Sequence, residues 1–125
     1  MSFAPFFAMT KPLLRFGIHN FLNASPLLLP LKEQGANMGF QVITDTPAAL
    51  ADRLKSSDLD LAMIPSVEYF KSADRYRLVP GVCIASRGEV GTVLFLTKKP
   101  IHEIRSIAAD NRSRTSVVLL KILFS

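Results

Sequence analysis

Hydrophobic and polar positions along this chain fall into short blocks that switch between a period of two and a period near 3.6, the signatures of strand and helix. Arg15-Phe16-Gly17-Ile18-His19 has strand character, and Ser25-Pro26 then supplies an N-cap residue followed by proline at the first helical position. The helix predicted from there runs through Leu27-Leu28-Leu29 to Gln34, with Pro30 kinking or shortening it and Gly35 as its stop. Phe40-Gln41-Val42-Ile43-Thr44 alternates as a second strand. Asp45-Thr46-Pro47 opens a second helix whose Leu50, Ala51 and Leu54 share one face. Leu59 to Ile64 reads as a third strand and Pro65 to Phe70 as a short helix after it. Two more strands are predicted at Leu78–Ser86 and Thr92–Thr97, with Gly88 and Gly91 bracketing a turn that would pair them antiparallel. A helical turn at Pro100–Ile104, a strand at Ser106–Ala109 and a helix opening at Ser113 complete the pattern. Strand–helix alternation at this pace predicts an α/β fold with a largely parallel sheet.

The last helix changes that picture. Val117, Val118, Leu119, Leu120, Ile122 and Leu123 make it apolar on nearly every side, as a fully buried helix would be. The chain stops at Phe124-Ser125 with no glycine stop, and the strand at Ser106–Ala109 has too few partners after it for a second layered unit. Either this helix docks on the preceding sheet or the chain is the front part of a longer protein; the second is the expectation.

Composition narrows the class further. With 49% apolar and 20% charged residues the chain has ample surface to bury and is not a disordered one. No apolar run approaches the roughly 18 residues of a membrane span. The opening Met1–Met9 lacks basic residues before its apolar stretch, is broken by Pro5 and is followed by no A-x-A site, so no signal peptide and a cytoplasmic location are expected. The single cysteine, Cys83, rules out an internal disulfide and fits a reducing compartment; its neighbours Val82 and Ile84 predict a buried, inert thiol. The charge of +5 comes from scattered residues, with local clusters only at Lys98-Lys99 and at Arg112 with Arg114. A basic stripe with interleaved aromatics is missing, which argues against nucleic acid and leaves a small anionic ligand or a merely basic surface.

Few residues offer chemistry. Asn23-Ala24-Ser25-Pro26 follows the first strand directly, at the carboxyl edge where α/β sheets place ligands. There Asn23 and Ser25 either bind a ligand or only shape a turn and cap a helix. Ser66 and Glu68 follow the third strand, as ligand residues or as a cap and a solvated acid, and Ser86 ends the Leu78–Ser86 strand before Arg87-Gly88, with turn chemistry as its rival reading. Ser113-Arg114-Thr115-Ser116 is the strongest anion candidate, because hydroxyls, free backbone N–H groups and a guanidinium converge on one helix start; the rival is an ordinary cap with a surface arginine. His19 reads as a packing residue at a strand end and His102 as a solvated one, with no metal-ligand pattern around either. Glycine-rich phosphate loops, a Walker lysine and a G-x-S-x-G elbow are missing, so neither a nucleotide nor a covalent nucleophile is expected, and no cofactor is called for.

Taken in order, these pieces resemble the chorismate dehydratase family of the futalosine route to menaquinone. The resemblance runs from Arg15 to about Phe124. It rests on Gly17-Ile18 followed by Phe21-Leu22-Asn23-Ala24-Ser25-Pro26-Leu27, close to a family pattern Y-L-N-x-x-P, and on Leu59-Asp60-Leu61-Ala62 leading to Pro65-Ser66-Val67-Glu68-Tyr69. Ile84-Ala85-Ser86 with Gly88-Glu89-Val90, and Ser113-Arg114-Thr115-Ser116-Val117 before Leu119-Leu120-Lys121, complete it. Phe21 stands where the motif has tyrosine, so a hydroxyl is missing there. The resemblance implies a fold like the type II periplasmic binding proteins: an extension over 1–14, a first lobe over 15–96, a hinge at 97–100 and the start of a second lobe at 101–125. It also implies dehydration of chorismate, a dianion, to 3-[(1-carboxyvinyl)oxy]benzoate without metal or cofactor. Asn23 would be the catalytic-site amide, with Ser25, Ser66, Ser86, Ser113, Arg114, Thr115 and Ser116 on the substrate. Rivals are 1,4-dihydroxy-6-naphthoate synthase, which shares the fold, a solute-binding module of the same architecture, and an inactive fragment.

Overall fold

The computed structural model describes residues 12–125. Most of the expected 1–14 extension, and the Met1–Met9 stretch behind the signal-peptide argument, lie outside the described residues. Three parallel strands form the sheet, β1 (Leu14–Ile18), β2 (Phe40–Thr44) and β3 (Leu61–Ala62), in the order β2-β1-β3. The ladder runs from Leu14 opposite Phe40 to Ile18 opposite Thr44 on one side, and pairs Phe16 with Leu61 and Gly17 with Ala62 on the other. Each parallel step needs a helical crossover. It is supplied by α1 (Ser25–Gln34) and α2 (Pro47–Lys55).

Alternation along β1 divides the core between its two faces. Ile18 joins Ala24 and Leu28 in a buried cluster, with Phe16, Leu27, Leu31, Val42 and Met63 packed around it, so this face carries α1. Gly17 points the other way, toward Leu50 of α2 and Leu59. A Cβ there would lie 2.5 Å from Leu59 Cδ1 and 2.7 Å from Leu50 Cδ2, so only glycine lets both leucines press onto the strand. The α1–β2 turn closes at Gly39, whose φ of +85° is the left-handed region that glycine enters without steric cost; its carbonyl accepts the Leu14 N–H at 2.8 Å. At the amino edge of the sheet Arg15 donates to both carboxylate oxygens of Asp60, at 3.0 and 2.9 Å, and to the Ser57 carbonyl at 2.8 Å.

Two local expectations are corrected in this half. Ser25 is the first residue of α1, and no side chain caps that helix. The third strand shrinks from Leu59–Ile64 to two residues, although Asp60 N–H to Arg15 O and Met63 N–H to Gly17 O extend its pairing at each end. Thr46 does cap α2, its Oγ1 accepting the Ala49 N–H at 3.3 Å.

After the short helix α3 (Ser66–Lys71) the pattern changes. The expected antiparallel pair at Leu78–Ser86 and Thr92–Thr97 does not form, nor does the strand at Ser106–Ala109. The physical reason is that a strand finds its hydrogen bonds on a neighbour, and the sheet offers these segments no ladder. Residues 77–100 are exposed throughout, Cys83 among them, so the buried inert thiol is also overturned. A 3₁₀ turn at Ile101–Glu103 matches the expected turn. The final helix α4 (Arg114–Leu123) forms, since a helix satisfies its own backbone. It contains no fully buried residue, contrary to its all-round apolar pattern: Leu119, Ile122 and Leu123 face solvent, and its other side packs on α3. No helix among the described residues is long and apolar enough to cross a membrane.

Candidate functional site

All three strands deliver their chains to the same carboxyl edge, and the polar residues singled out in the sequence fall into two groups after β1 and β3, with Ser86 apart from both. At the end of β1, His19 is buried, its ring 5.0 Å from that of Phe21. A single 3₁₀ turn, Leu22–Ala24, follows, closed by the Ala24 N–H on the Phe21 carbonyl at 2.9 Å. Ala24 is fully buried in the α1-side core and pins the turn, while Leu22 and Asn23 are exposed. The turn therefore presents the Asn23 amide to solvent from a fixed base. Ser25 is half-buried at the start of α1, where first-turn N–H groups lack intrahelical partners. Met63, just past β3, packs on the same cluster as Ala24, so the ends of β1 and β3 share one support.

The second group comes from α3 and α4. Ser66 opens α3 and is exposed, and the next N–H, of Val67, reaches Thr115 Oγ1 at 3.4 Å. Ser113 and Ser116 bond each other through their hydroxyls at 2.7 Å. Two stretches that are 48 positions apart in sequence are thereby joined. Arg114 holds the junction. Its guanidinium donates to Asp52 of α2 at 2.7 Å and lies 3.3 Å from Glu68 of α3. These carboxylates, Asp52 foremost, raise the arginine's pKa further above its usual value. The guanidinium is thus already matched by two acids. Beside it a solvent-open cleft of about 500 Å³ lies between Thr46 at the start of α2 and Val117 and Lys121 of α4, with Lys71 and Arg112 on its rim.

Ser86 stands apart from both groups, in the exposed stretch 77–100. One participant escaped the sequence analysis. Asp52 lies 62 positions from Arg114, and no local pattern links them. His19 was legible as a packing residue, and it is buried, but its Nδ1 has no hydrogen-bond partner among the described residues. Chemically, the chain presents two separate sets of neutral groups: the exposed Asn23 amide beside the start of α1, and the hydroxyls and helix-start N–H groups where α3 meets α4. Such a set can hold and orient an oxygen-rich anion. It contains no cluster of three or more His, Cys, Asp or Glu able to hold a metal among the described residues.

Comparison with known proteins gives the family. Residues 14–125 match the model of a family described as menaquinone biosynthesis. A chorismate dehydratase from Thermus thermophilus is 32% identical over 107 residues, which make up 86% of this chain and 38% of that protein. The chain thus spans less than two-fifths of the length of this relative. With nearly all of its described residues inside the match, the chain belongs to the menaquinone biosynthesis family.

Proposed function

We propose that this chain carries the first part of a chorismate dehydratase, which removes water from chorismate to give 3-[(1-carboxyvinyl)oxy]benzoate. The observation that supports the reading most is the placing of Asn23: an exposed amide on a turn pinned by a buried alanine, at the carboxyl edge, within the stretch matched by the family. The Thermus relative's name supplies the reaction. In the same proposal the chain forms the first lobe of a type II periplasmic-binding-protein-like fold over 15–96, a hinge at 97–100 and the start of a second lobe at 101–125. The cleft between the lobes holds chorismate.

The reaction suits the residues. A C–H bond breaks at the ring carbon bearing the enolpyruvyl ether, the neighbouring C–O bond breaks, and the ring becomes aromatic as water departs. An amide is no base at neutral pH, so Asn23 orients the substrate and its departing hydroxyl. A carboxylate of the substrate takes the proton and passes it to the departing hydroxyl, so that water leaves and the product remains a dianion. Ser25, Ser66, Ser86 and the Ser113–Ser116 turn, with Thr115, meet the substrate's two carboxylates. Arg114, held by Asp52 and Glu68, gives that turn its place.

The test joins this chain to the C-terminal portion of the Thermus relative. The folded fusion should consume chorismate and form the aromatic enolpyruvyl ether, read by mass and absorbance. Asn23→Ala should slow it on the order of a hundred-fold, the usual consequence of lost positioning. Asn23→Asp, which sets a negative charge beside a dianion, should be at least as harmful. Intact chorismate after incubation with the folded fusion, or both variants at the parent rate, overturns the proposal. The 125-residue chain alone should bind chorismate only in the millimolar range, because one wall cannot exclude water or fix both carboxylates.

A further inference from the structure

The least explained polar group in the molecule is His19. Only 8% of the residue is exposed, and its Nδ1 is sealed from solvent with no hydrogen-bond partner among the described residues. A buried polar atom left unpaired costs on the order of 1–3 kcal/mol, so such atoms are rare and mark places where something else is gained. The ring sits one residue past β1, at the carboxyl edge, against Phe21 at 5.0 Å, and Phe21 in turn closes the turn that carries Asn23. Nε2 makes no hydrogen bond among the described residues and, unlike Nδ1, is not sealed in. The asymmetry between the two nitrogens decides the tautomer. Orphaned buried N–H groups are rarer than under-satisfied acceptors, so Nδ1 keeps a bare lone pair and the proton sits on Nε2.

We propose that His19 is a substrate-contacting residue, a neutral imidazole fixed as the Nε2–H tautomer that donates one hydrogen bond to an oxygen of the anionic ligand beside Asn23. The inference rests on the chorismate reading of the site and adds a residue to it. Burial pushes the imidazole's pKa below its ordinary value, which keeps the ring neutral at the pH where the donor is needed. A fixed neutral donor suits a substrate hydroxyl as well as a carboxylate, and it brings no competing acid into a step in which the substrate supplies its own base.

The two histidines, His19 and His102, make the test direct. In the ¹⁵N-labelled 125-residue chain, long-range ¹H–¹⁵N spectra report the tautomer of each ring, and a His102→Gln variant assigns them. His19 should be the Nε2–H tautomer. Millimolar chorismate should move the His19 Nε2 signal together with the backbone amides of Asn23, Ala24 and Ser25, and leave His102 still. His19→Gln, which keeps a donor at the reach of Nε2, should bind chorismate within about three-fold of the parent, whereas His19→Leu should lose roughly ten-fold or more, the usual worth of a hydrogen bond to a charged group. An Nδ1–H tautomer overturns the inference with no variant needed. So does a titration in which the Asn23–Ser25 amides move and the His19 ring does not, and in that case the chorismate reading stands. If neither moves at saturating chorismate, the reading of function falls and the inference falls with it.

Discussion

Residues 12–72 and residues 73–125 obey the same chemistry and end in different states. In the first stretch three strands and two crossover helices enclose Ile18, Leu28, Leu50 and Leu59, and the buried residues among those described lie there. In the second, Leu78, Val82, Leu94 and Leu96 are as apolar and as regularly spaced, yet they remain exposed. The difference is where each segment finds its hydrogen bonds. A helix closes its own, so α4 forms even with Leu119, Ile122 and Leu123 in solvent. A strand depends on a neighbour, and the β2-β1-β3 sheet is built wholly from the first stretch. Strand-forming residues without a ladder stay irregular.

The largest consequence is kinetic access. Trypsin should cut first after Arg87 and Lys98, which lie in exposed irregular chain, and last after Arg53 inside α2. Cleavage at Arg53 needs the sheet to open, and a stability of about 5 kcal/mol at the low end of ordinary domains suppresses that opening several thousand-fold. Mass mapping of early fragments reads the order. Simultaneous cutting in both stretches would erase the distinction.

A smaller effect separates one leucine from another. Leu50→Ala opens a void beside Gly17 in a fully buried position and should cost ~2–5 kcal/mol in urea unfolding. Leu96→Ala, at a position 84% exposed, should stay within about 0.5 kcal/mol. Equal losses would mean that the second stretch buries Leu96 in solution.

This contrast also explains what could be read from the sequence. The first strand, the second and both crossover helices were legible to within a residue or two, because Thr46-Pro47, Ser25-Pro26 and the alternation of Phe40–Thr44 act locally. The strands at Leu78–Ser86 and Thr92–Thr97 were legible only as propensity; pairing is a property of the partner, and no local pattern encodes it. The candidate site divides in the same way. Asn23 and Ser113–Ser116 were found from strand ends and helix starts. The Asp52–Arg114–Glu68 junction joins three helices across long sequence separations and left no trace in spacing.

That junction is one link between the two stretches, beside the Val67–Thr115 hydrogen bond, and cutting it gives the next effect in size. Arg114→Ala removes the contacts to Asp52 and Glu68, of which Asp52 is largely exposed, so the loss should be no more than about 1 kcal/mol. It should be local: hydrogen exchange should quicken over Arg114–Leu123 and leave the β1 amides unchanged. In the fusion with the Thermus portion the same variant should raise the Michaelis constant through the misplaced Ser113–Ser116 turn. Unchanged exchange in α4 would show that apolar packing on α3 alone holds that helix.

The smallest effect is a matter of pH and belongs to the first stretch alone. Hydrogen bonds from the Arg15 side chain, and then its backbone N–H, bring the Asp60 carboxyl down to about 2 from 3.8. The folded state thus binds the proton less readily than the unfolded chain. The pair's contribution is therefore complete above pH ~4 and is lost progressively as the pH falls from there through about 2. Both side chains are surface groups, so the contribution is small. Arg15→Gln should lower the urea midpoint slightly at pH 7 and by less at pH 3, with the difference vanishing only as the pH falls through about 2, because the parent alone gains stability across that interval. Trypsin sites in residues 73–100 should be cut at the same rate in parent and variant, since nothing in that stretch depends on the Arg15–Asp60 pair. A variant whose deficit is as large at pH 2 as at pH 7 would show that Arg15 acts through its bond to the Ser57 carbonyl, which no protonation of Asp60 removes.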